Sequence, residues 1–196
     1  MVFSKYTIQE YIDSGKLGIT PKPTQSQFQP HSLDLRLGFD FYIPKLWNLT
    51  DKGREVVTVD ISKPAANFTH VQIKEGQYFE LAPGEFVIGM TLEEIHLKQL
   101  DYMAVMYPRS SVNRRGLSVS LTGIVDAGYK GHLFIPIRNQ TVHQIIRVEP
   151  GERFVTLVFH TLDKPLEPKD AKQHGSSFAK YHGAKDFVSY IPDKER

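Results

Sequence analysis

The stretch Ser32-Leu33-Asp34-Leu35-Arg36-Leu37 alternates apolar and polar side chains. Because successive side chains of a β-strand point to opposite faces, this period of two predicts a strand that buries its leucines on one face. Segments of strand character follow at short intervals, with turn residues between them, which predicts an antiparallel barrel or sandwich. The further predicted strands span 39–43, 55–60, 78–81, 86–91, 103–107, 117–120, 133–137, 145–148 and 154–159.

The N-terminal segment has the pattern of a short helix. Ile8, Tyr11 and Ile12 have the i, i+3, i+4 spacing of one helix face within 7–16. Gly15 falls near the end of that segment, where a left-handed residue is favoured. A second helical turn is predicted around 110–115, so the sequence indicates a mainly β protein with one short N-terminal helix.

The length and composition indicate one domain with a tail. The chain has 196 residues, of which 40% are hydrophobic, and this is enough apolar surface for a sizeable core. The last thirty or so residues are rich in Lys, Gly, Ser and His and lack periodicity. We therefore predict a β domain over 1–164 and a flexible C-terminal arm over 165–196.

The charge balance gives no reason to expect nucleic acid or a membrane as partner. The sequence has 24 basic and 22 acidic side chains, and no segment approaches the roughly 18 apolar residues that span a bilayer. It contains no cysteine, and its eight histidines show no helical i, i+4 pair, so no protein-held zinc site is predicted. These features favour a cytoplasmic protein.

Two motifs within two dozen residues point to nucleotide chemistry. Pro108-Arg109-Ser110-Ser111 offers a guanidinium fork and two hydroxyls, which donate hydrogen bonds to phosphate oxygens. Gly123-Ile124-Val125-Asp126-Ala127-Gly128-Tyr129-Lys130-Gly131 offers one carboxylate among small residues. A carboxylate at that place could orient a water and take its proton. The alternative is a plain turn in which the Asp126 carboxylate bonds its own backbone.

Set in order along the chain, these motifs resemble those of the dCTP deaminase and dUTPase superfamily. The segments 15–17, 32–38, 83–88 with 91–93, and 179–181 are similar to the deaminase branch, and the two motifs above are similar to those of dUTPases. The resemblance implies a distorted jelly-roll or β-barrel of dUTPase-like type and a homotrimer with sites between subunits. It also implies a magnesium-bound deoxynucleoside triphosphate as substrate.

The resemblance also implies roles for individual residues, each with a plainer alternative. Asp126 would be the catalytic acid, and Asp34 would act at the magnesium end of the site through water, unless it is only the solvent face of its strand. Tyr129 would lie under the sugar, or else be a half-buried aromatic at a strand start. The implied phosphate-binding residues are Arg109, Ser110, Ser111, Arg114, Lys180 and Lys185, and the implied nucleoside-binding residues are Gly123, Ile124, Val125, Tyr129 and Tyr181.

One departure from the family decides the predicted activity. The resemblance implies a water-activating glutamate ten residues beyond Asp126, and this chain has Pro136 there. Proline cannot accept a proton, and it lacks the N–H of a strand donor, so the strand is expected to be an edge or bulged at that point. We therefore predict hydrolysis of dUTP to dUMP and pyrophosphate.

Two alternatives stay open. The first is a dCTP deaminase, alone or combined with dUTPase activity, that uses another acid. The second is a catalytically silent nucleotide-binding relative. It is suggested by Thr156, which stands where the fourth dUTPase motif has glutamine, and by the lack of a glycine-rich tail with a stacking Phe, although Phe178 or Phe187 could serve.

Overall fold

The computed structural model describes residues 1–60, 67–119 and 123–169. Within these ranges the chain forms two α-helices, a short 3-10 helix and a succession of mostly short strands. The elements are α1 Lys5–Asp13, β1 Leu17–Thr20, the 3-10 helix Gln25–Gln27, β2 Phe28–Gln29, β3 Ser32–Pro44, β4 Trp47–Thr50, β5 Gly53–Val56, β6 Phe68–Gln72, β7 Phe79–Leu81, β8 Phe86–Thr91, β9 Glu94–Leu97, β10 Tyr102–Pro108, α2 Ser110–Asn113, β11 Leu117–Val119, β12 Gly123–Val125, β13 Lys130–Gly131, β14 Phe134–Asn139, β15 Ile146–Val148 and β16 Arg153–Thr161.

The largest sheet has the strand order β11-β14-β8-β3-β16-β10-β12, with β2 and β6 also paired to β3. Smaller sheets have the orders β1-β9-β13, β15-β7 and β4-β5. The described strand pairs of the large sheet are antiparallel, and the sheet curls into a half-barrel. The mainly β fold with one short N-terminal helix is thereby confirmed.

Strand β3 is the centre of the large sheet and joins two predicted strands into one. Its register against β8 shifts between Leu37 and Phe41. At Gly38, inside that shift, an added Cβ would lie 2.9 Å from the carbonyl O of Met90, so only glycine lets the two backbones approach this closely. The glycine therefore bends β3 without ending it.

The leucines of the opening stretch lie in the core, as predicted. Leu33, Leu35 and Leu37 are fully buried, and each such side chain contributes about 1.5–3 kcal/mol through the apolar surface it removes from water. Asp34, however, is only 2% exposed, so the alternative in which it is only the solvent face of its strand is not observed. Side chains from distant parts of the chain cover that face of β3 as well.

The N-terminal helix begins and ends earlier than the predicted span of 7–16. Ser4 caps it by accepting a hydrogen bond from the backbone N–H of Thr7, and the helix ends at Asp13. Gly15 follows with φ of 75°, the left-handed conformation predicted for it. No helix among the described residues is long and apolar enough to cross a lipid bilayer.

Two further predicted elements are shifted. The strand predicted over 55–60 is observed as Gly53–Val56, paired with Trp47–Thr50 in a separate hairpin. The helical turn predicted around 110–115 is α2, Ser110–Asn113, which directly follows β10. The register of β10 therefore decides where the phosphate-binding motif lies.

Candidate active site

Arg109 joins the end of β10 to α2, and its side chain is held by a buried carboxylate. Its Nε lies 3.0 Å from Oδ2 of Asp34, and its Nη1 donates to the backbone O of Arg153 at 3.1 Å. Nη1 of Arg153 lies 3.4 Å from the same Asp34 oxygen and also donates to the backbone O of Ser26. Two guanidinium groups thus share one carboxylate.

A second buried carboxylate supports this arrangement from behind. Glu93 is fully buried and accepts hydrogen bonds from Nε of Arg36 at 2.7 Å and from the Arg36 backbone N–H at 2.8 Å. Nε2 of Gln27 donates to Glu93 at 2.9 Å and to the backbone O of Asp34 at 2.9 Å. The backbone of β3 around Asp34 is therefore fixed by charge-assisted hydrogen bonds that are shielded from water.

The protonation of Asp34 reflects two opposed influences. Burial raises the pKa of the Asp34 carboxyl above its ordinary value, and the neighbouring Arg109 and Arg153 oppose this by a smaller amount. The carboxylate therefore gains a proton more readily than one in water.

A cavity of about 400 Å³ opens beside this pair of arginines. Arg109 and Arg153 line it together with Ser111, Arg115 and Glu152. Ser110, Ser111 and Arg114 are exposed, and none of these three side chains has a hydrogen-bond partner among the described residues. The predicted phosphate-binding residues 109–111 and Arg114 are thus brought to one end of β10.

Asp126 lies in a turn after β12. Its backbone O accepts a hydrogen bond from the N–H of Tyr129 at 3.0 Å, and Gly128 has φ of 84°, as position i+2 of a type II turn requires. The Asp126 side chain is exposed and has no hydrogen-bond partner among the described residues, so the alternative in which it caps its own turn is not observed.

The predicted nucleoside-binding residues around Asp126 differ in how far they are exposed. Tyr129 is 9% exposed, packs in the core, and donates its hydroxyl to the backbone O of His132 at 2.7 Å. Gly123, Ile124 and Val125 form β12, an edge of the large sheet. Of these three, Ile124 is 68% exposed and Val125 is buried.

The register of β10 and β12 separates the two predicted halves of the site. Val125, next to Asp126, pairs with Ala104, and Gly123 pairs with Met106. Arg109 is five residues beyond Ala104 along β10, so at about 3.3 Å per residue it lies about 17 Å from the Asp126 end. Within one chain, Asp126 and the phosphate-binding motif are at opposite ends of the same strand.

Pro136 lies inside the sheet, in β14, where it pairs with Ile88 of β8. The carbonyl O of Leu133 accepts from the N–H of Thr91, and the N–H of Asn139 donates to the carbonyl O of Glu85, so these residues bond toward β8. Because backbone groups alternate in direction along a strand, those of Pro136 face the other neighbour, β11. The described pairing with β11 begins at Ile137. The missing N–H thus removes no described ladder bond, although β14 as a whole lies between β8 and β11.

The remaining predicted residues lie outside the described part of the chain. Lys180, Tyr181 and Lys185 belong to 170–196, and so do Phe178 and Phe187. Of the predicted arm, only its first residues are described, and there Leu166 N–H donates to the backbone O of Leu100 at 2.8 Å. The beginning of that segment is thus attached to the β domain.

The side chains around Asp34 do not fit magnesium binding. Mg²⁺ prefers carboxylates and phosphates together with water, whereas the Asp34 carboxylate already faces two guanidinium groups that would repel a cation. No group of three or more His, Asp or Glu side chains in the described ranges is arranged to hold a metal ion. The predicted metal role of Asp34 therefore has no support in this geometry.

A family model described as dCTP deaminase-like matches residues 2–162. A protein of Dictyoglomus thermophilum named "dCTP deaminase, dUMP-forming" is 36% identical over 188 residues, which cover 94% of this chain and 91% of that protein. This chain belongs to the dCTP deaminase-like family. A relative in Halorubrum lacusprofundi named "dCTP deaminase" is 30% identical over 185 residues, covering 93% of this chain and 88% of that protein.

A solved structure of the family agrees in fold. The 2'-deoxycytidine 5'-triphosphate deaminase of Agrobacterium tumefaciens matches with a TM-score of 0.63 and 23% identity. The match covers 90% of this chain and 53% of that one, so this chain spans about half the length of the solved protein.

These relatives contradict the prediction that the main activity is dUTP hydrolysis. Those reported above are named for dCTP deamination, which was the first alternative. The prediction relied on one missing carboxylate, that of position 136, and on a motif shared with dUTPases. Similarity over nearly the whole chain outweighs both. Sequence reasoning also missed Arg153, which lies between the Pro150-Gly151 turn and the strand predicted over 154–159, because no local signal placed that strand next to β3.

Proposed function

We propose that the protein converts dCTP and two waters to dUMP, ammonia and pyrophosphate. Its Dictyoglomus thermophilum relative is named "dCTP deaminase, dUMP-forming", which supports dCTP as the substrate and dUMP as a product. The observation that carries this proposal is the 36% identity to that relative over 94% of the chain. The exposed hydroxyls and arginines at the α2 end of β10, beside a cavity, suit the triphosphate of such a substrate.

We further propose that the site forms between copies of the chain. The distance of about 17 Å along β10 from Ala104, which pairs with the residue before Asp126, to Arg109 keeps Asp126 of one chain away from its own Arg109. A ring in which one copy supplies Asp126 and the next supplies Arg109, Ser110, Ser111 and Arg114 brings them together. A homotrimer in the cytoplasm is the expected form.

In this site the residues have distinct roles. Arg109 and the two serines hold the phosphates, and the exposed Asp126 orients a water and accepts its proton. Gly123, Ile124, Val125 and Tyr129 contact the nucleoside. Magnesium, when bound, neutralises phosphate charge and is held by the triphosphate rather than by Asp34.

A second candidate is favoured by Pro136. Deamination requires a group that takes a proton from the water attacking C4 and passes a proton to the departing amine. Proline at the position of the family's glutamate cannot do this, so a protein that binds the nucleotide without deaminating it is the rival function.

One assay separates the two functions. Purified protein is incubated with magnesium and dCTP, and ammonia, pyrophosphate and dUMP are measured together with dCTP binding. Ammonia and dUMP in equal amounts support the proposal, whereas tight binding with neither product supports the rival. Asp126→Asn should bind dCTP but release no pyrophosphate, and Asp163→Asn, an acid outside the proposed site, should behave as wild type.

A further inference from the structure

Asp34 is buried in a position where it controls the phosphate-binding arginine. Its side chain is 2% exposed, compared with 25% for Arg109 and 35% for Arg153. The contact between Nε of Arg109 and Oδ2 of Asp34 is 3.0 Å, within the range of a charge-assisted hydrogen bond. The Arg109 side chain is therefore tied at its inner edge.

This contact leaves the outer edge of the guanidinium available. Nε is used by Asp34 and one Nη1 hydrogen by the backbone O of Arg153, and the described contacts do not use the remaining N–H groups. Arg109 lines the cavity together with Ser111. A phosphate in the cavity can thus bind an arginine that is already oriented, with less side-chain entropy to lose.

Buried hydrogen bonds also fix the backbone around Asp34. Gln27 links the Asp34 backbone O to the fully buried Glu93, and Glu93 also holds the backbone N–H and the side chain of Arg36. Nε2 of Gln29 lies 3.3 Å from the Asp34 carboxylate on a further side. Arg109, Arg153 and Gln29 all direct N–H groups at Oδ2 of this carboxylate, an arrangement that does not suit a metal ligand.

We propose that Asp34 is a positioning residue that holds Arg109 ready for the phosphates of the substrate, and that it does not bind magnesium or its waters. The inference rests on the proposed function for the identity of the nucleotide. Any polyphosphate offers the oxygens that Arg109 would bind, so the role of Asp34 can be tested separately from the proposed deamination of dCTP.

The test measures binding without metal. Inorganic tripolyphosphate, and separately dCTP, are titrated calorimetrically into the full chain in EDTA, using wild type, Asp34→Asn, Arg109→Lys, the double variant and Asp40→Asn. Asp40 is the matched control, because it is an acid on the same strand that lies away from the cavity. Its Oδ1 is 2.7 Å from Nε2 of His70. We expect Asp34→Asn to weaken binding about tenfold and Asp40→Asn to change it less than about twofold.

The double variant tests whether Asp34 acts through Arg109. If it does, Asp34→Asn/Arg109→Lys binds tripolyphosphate no more weakly than Arg109→Lys alone, within about twofold. A merely structural role would add the two losses. Wild-type affinity of Asp34→Asn in EDTA, or no tripolyphosphate binding by the wild type, overturns the inference.

Two arms keep the result decisive. If Asp34→Asn does not fold, a crystal structure of the wild type with dCTP and Mg²⁺ decides, since Asp34 should stay on Arg109 and away from the metal and its waters. A protein that binds tripolyphosphate as described but releases no ammonia from dCTP upholds this inference and contradicts the proposed function. If the wild type releases ammonia from dCTP and the Asp34→Asn variant binds tripolyphosphate with wild-type affinity, the proposed function is upheld and this inference is contradicted.

Discussion

Two inactive variants should restore each other's activity when they assemble together. Asp126→Asn removes the acid at one end of β10, and Arg109→Gln removes the cation at the other end, about 17 Å away. In the proposed ring, each working site takes Asp126 from one copy and Arg109 from another, because about 17 Å separates the two positions within one chain. A mixed ring therefore contains some sites in which both contributors are intact.

The expected yield follows from random assembly. In an equal mixture, a given site receives an intact Asp126 half of the time and an intact Arg109 half of the time. About a quarter of the sites are then complete, and this fraction holds for any closed ring of identical contacts. Arg109→Gln also removes one of the two guanidinium groups that face Asp34, at a cost of about 1–3 kcal/mol in folding free energy, so activity is measured well below its unfolding midpoint.

The assay uses co-expressed chains with two different affinity tags, purified through both tags. Purification through both tags discards the uniform rings, about a quarter of random trimers, and each remaining trimer has one complete site of three. Pyrophosphate release from dCTP should therefore reach about a third of the wild-type rate, while each variant alone is near background. The control combines Asp126→Asn with the double variant Asp126→Asn/Arg109→Gln, which can form no complete site. Background activity in the first mixture, with assembly verified by both tags, would show that a single chain supplies both residues.

Three further outcomes are expected. Pro136→Glu should raise ammonia release from dCTP at least about tenfold if the missing carboxylate limits deamination, with Pro165→Glu as an unaffected control, and an unchanged rate contradicts that explanation. Because burial raises the pKa of Asp34 above its unfolded value, its protonation stabilises the fold at low pH, and this contribution is lost as pH rises through the folded pKa. Urea titrations from about pH 4 to neutral should therefore show the difference in unfolding free energy between wild type and Asp34→Asn shrinking as pH rises, and growth of that difference would refute it. Leu35→Ala should lower the unfolding free energy by about 2–5 kcal/mol, whereas the exposed Leu49→Ala should change it by less than about 0.5 kcal/mol in the same titration.

The sequence predicted the elements better than their assembly. The alternation at Leu33, Leu35 and Leu37 identified a core strand because burial on one face is a local, periodic signal. The cover on Asp34 was not predictable in that way, since Arg109 and Arg153 come from positions 75 and 119 residues further along the chain. Only the sheet order brings them to β3.

The candidate site shows the same limit. The motifs at Arg109 and Asp126 are 17 residues apart in sequence, and this spacing does not say whether the two meet within one chain. The antiparallel register of β10 and β12 places them far apart along β10. Strand pairing register is set by contacts across the whole sheet, so a linear motif cannot reveal it.

The enclosure of Glu93 has a consequence for how the protein responds to dissolved salt. Exposed pairs such as Arg147 with Glu80 are screened by mobile ions, whereas a carboxylate with no exposed surface is not. Raising ionic strength should therefore leave the hydrogen bonds of Glu93 with Arg36 and Gln27, and the backbone of β3 beside them, unchanged. Any loss of nucleotide affinity at high salt would then report competition by chloride for the guanidinium groups of Arg109 and Arg153. It would not report a change in the structure of β3 and its neighbours.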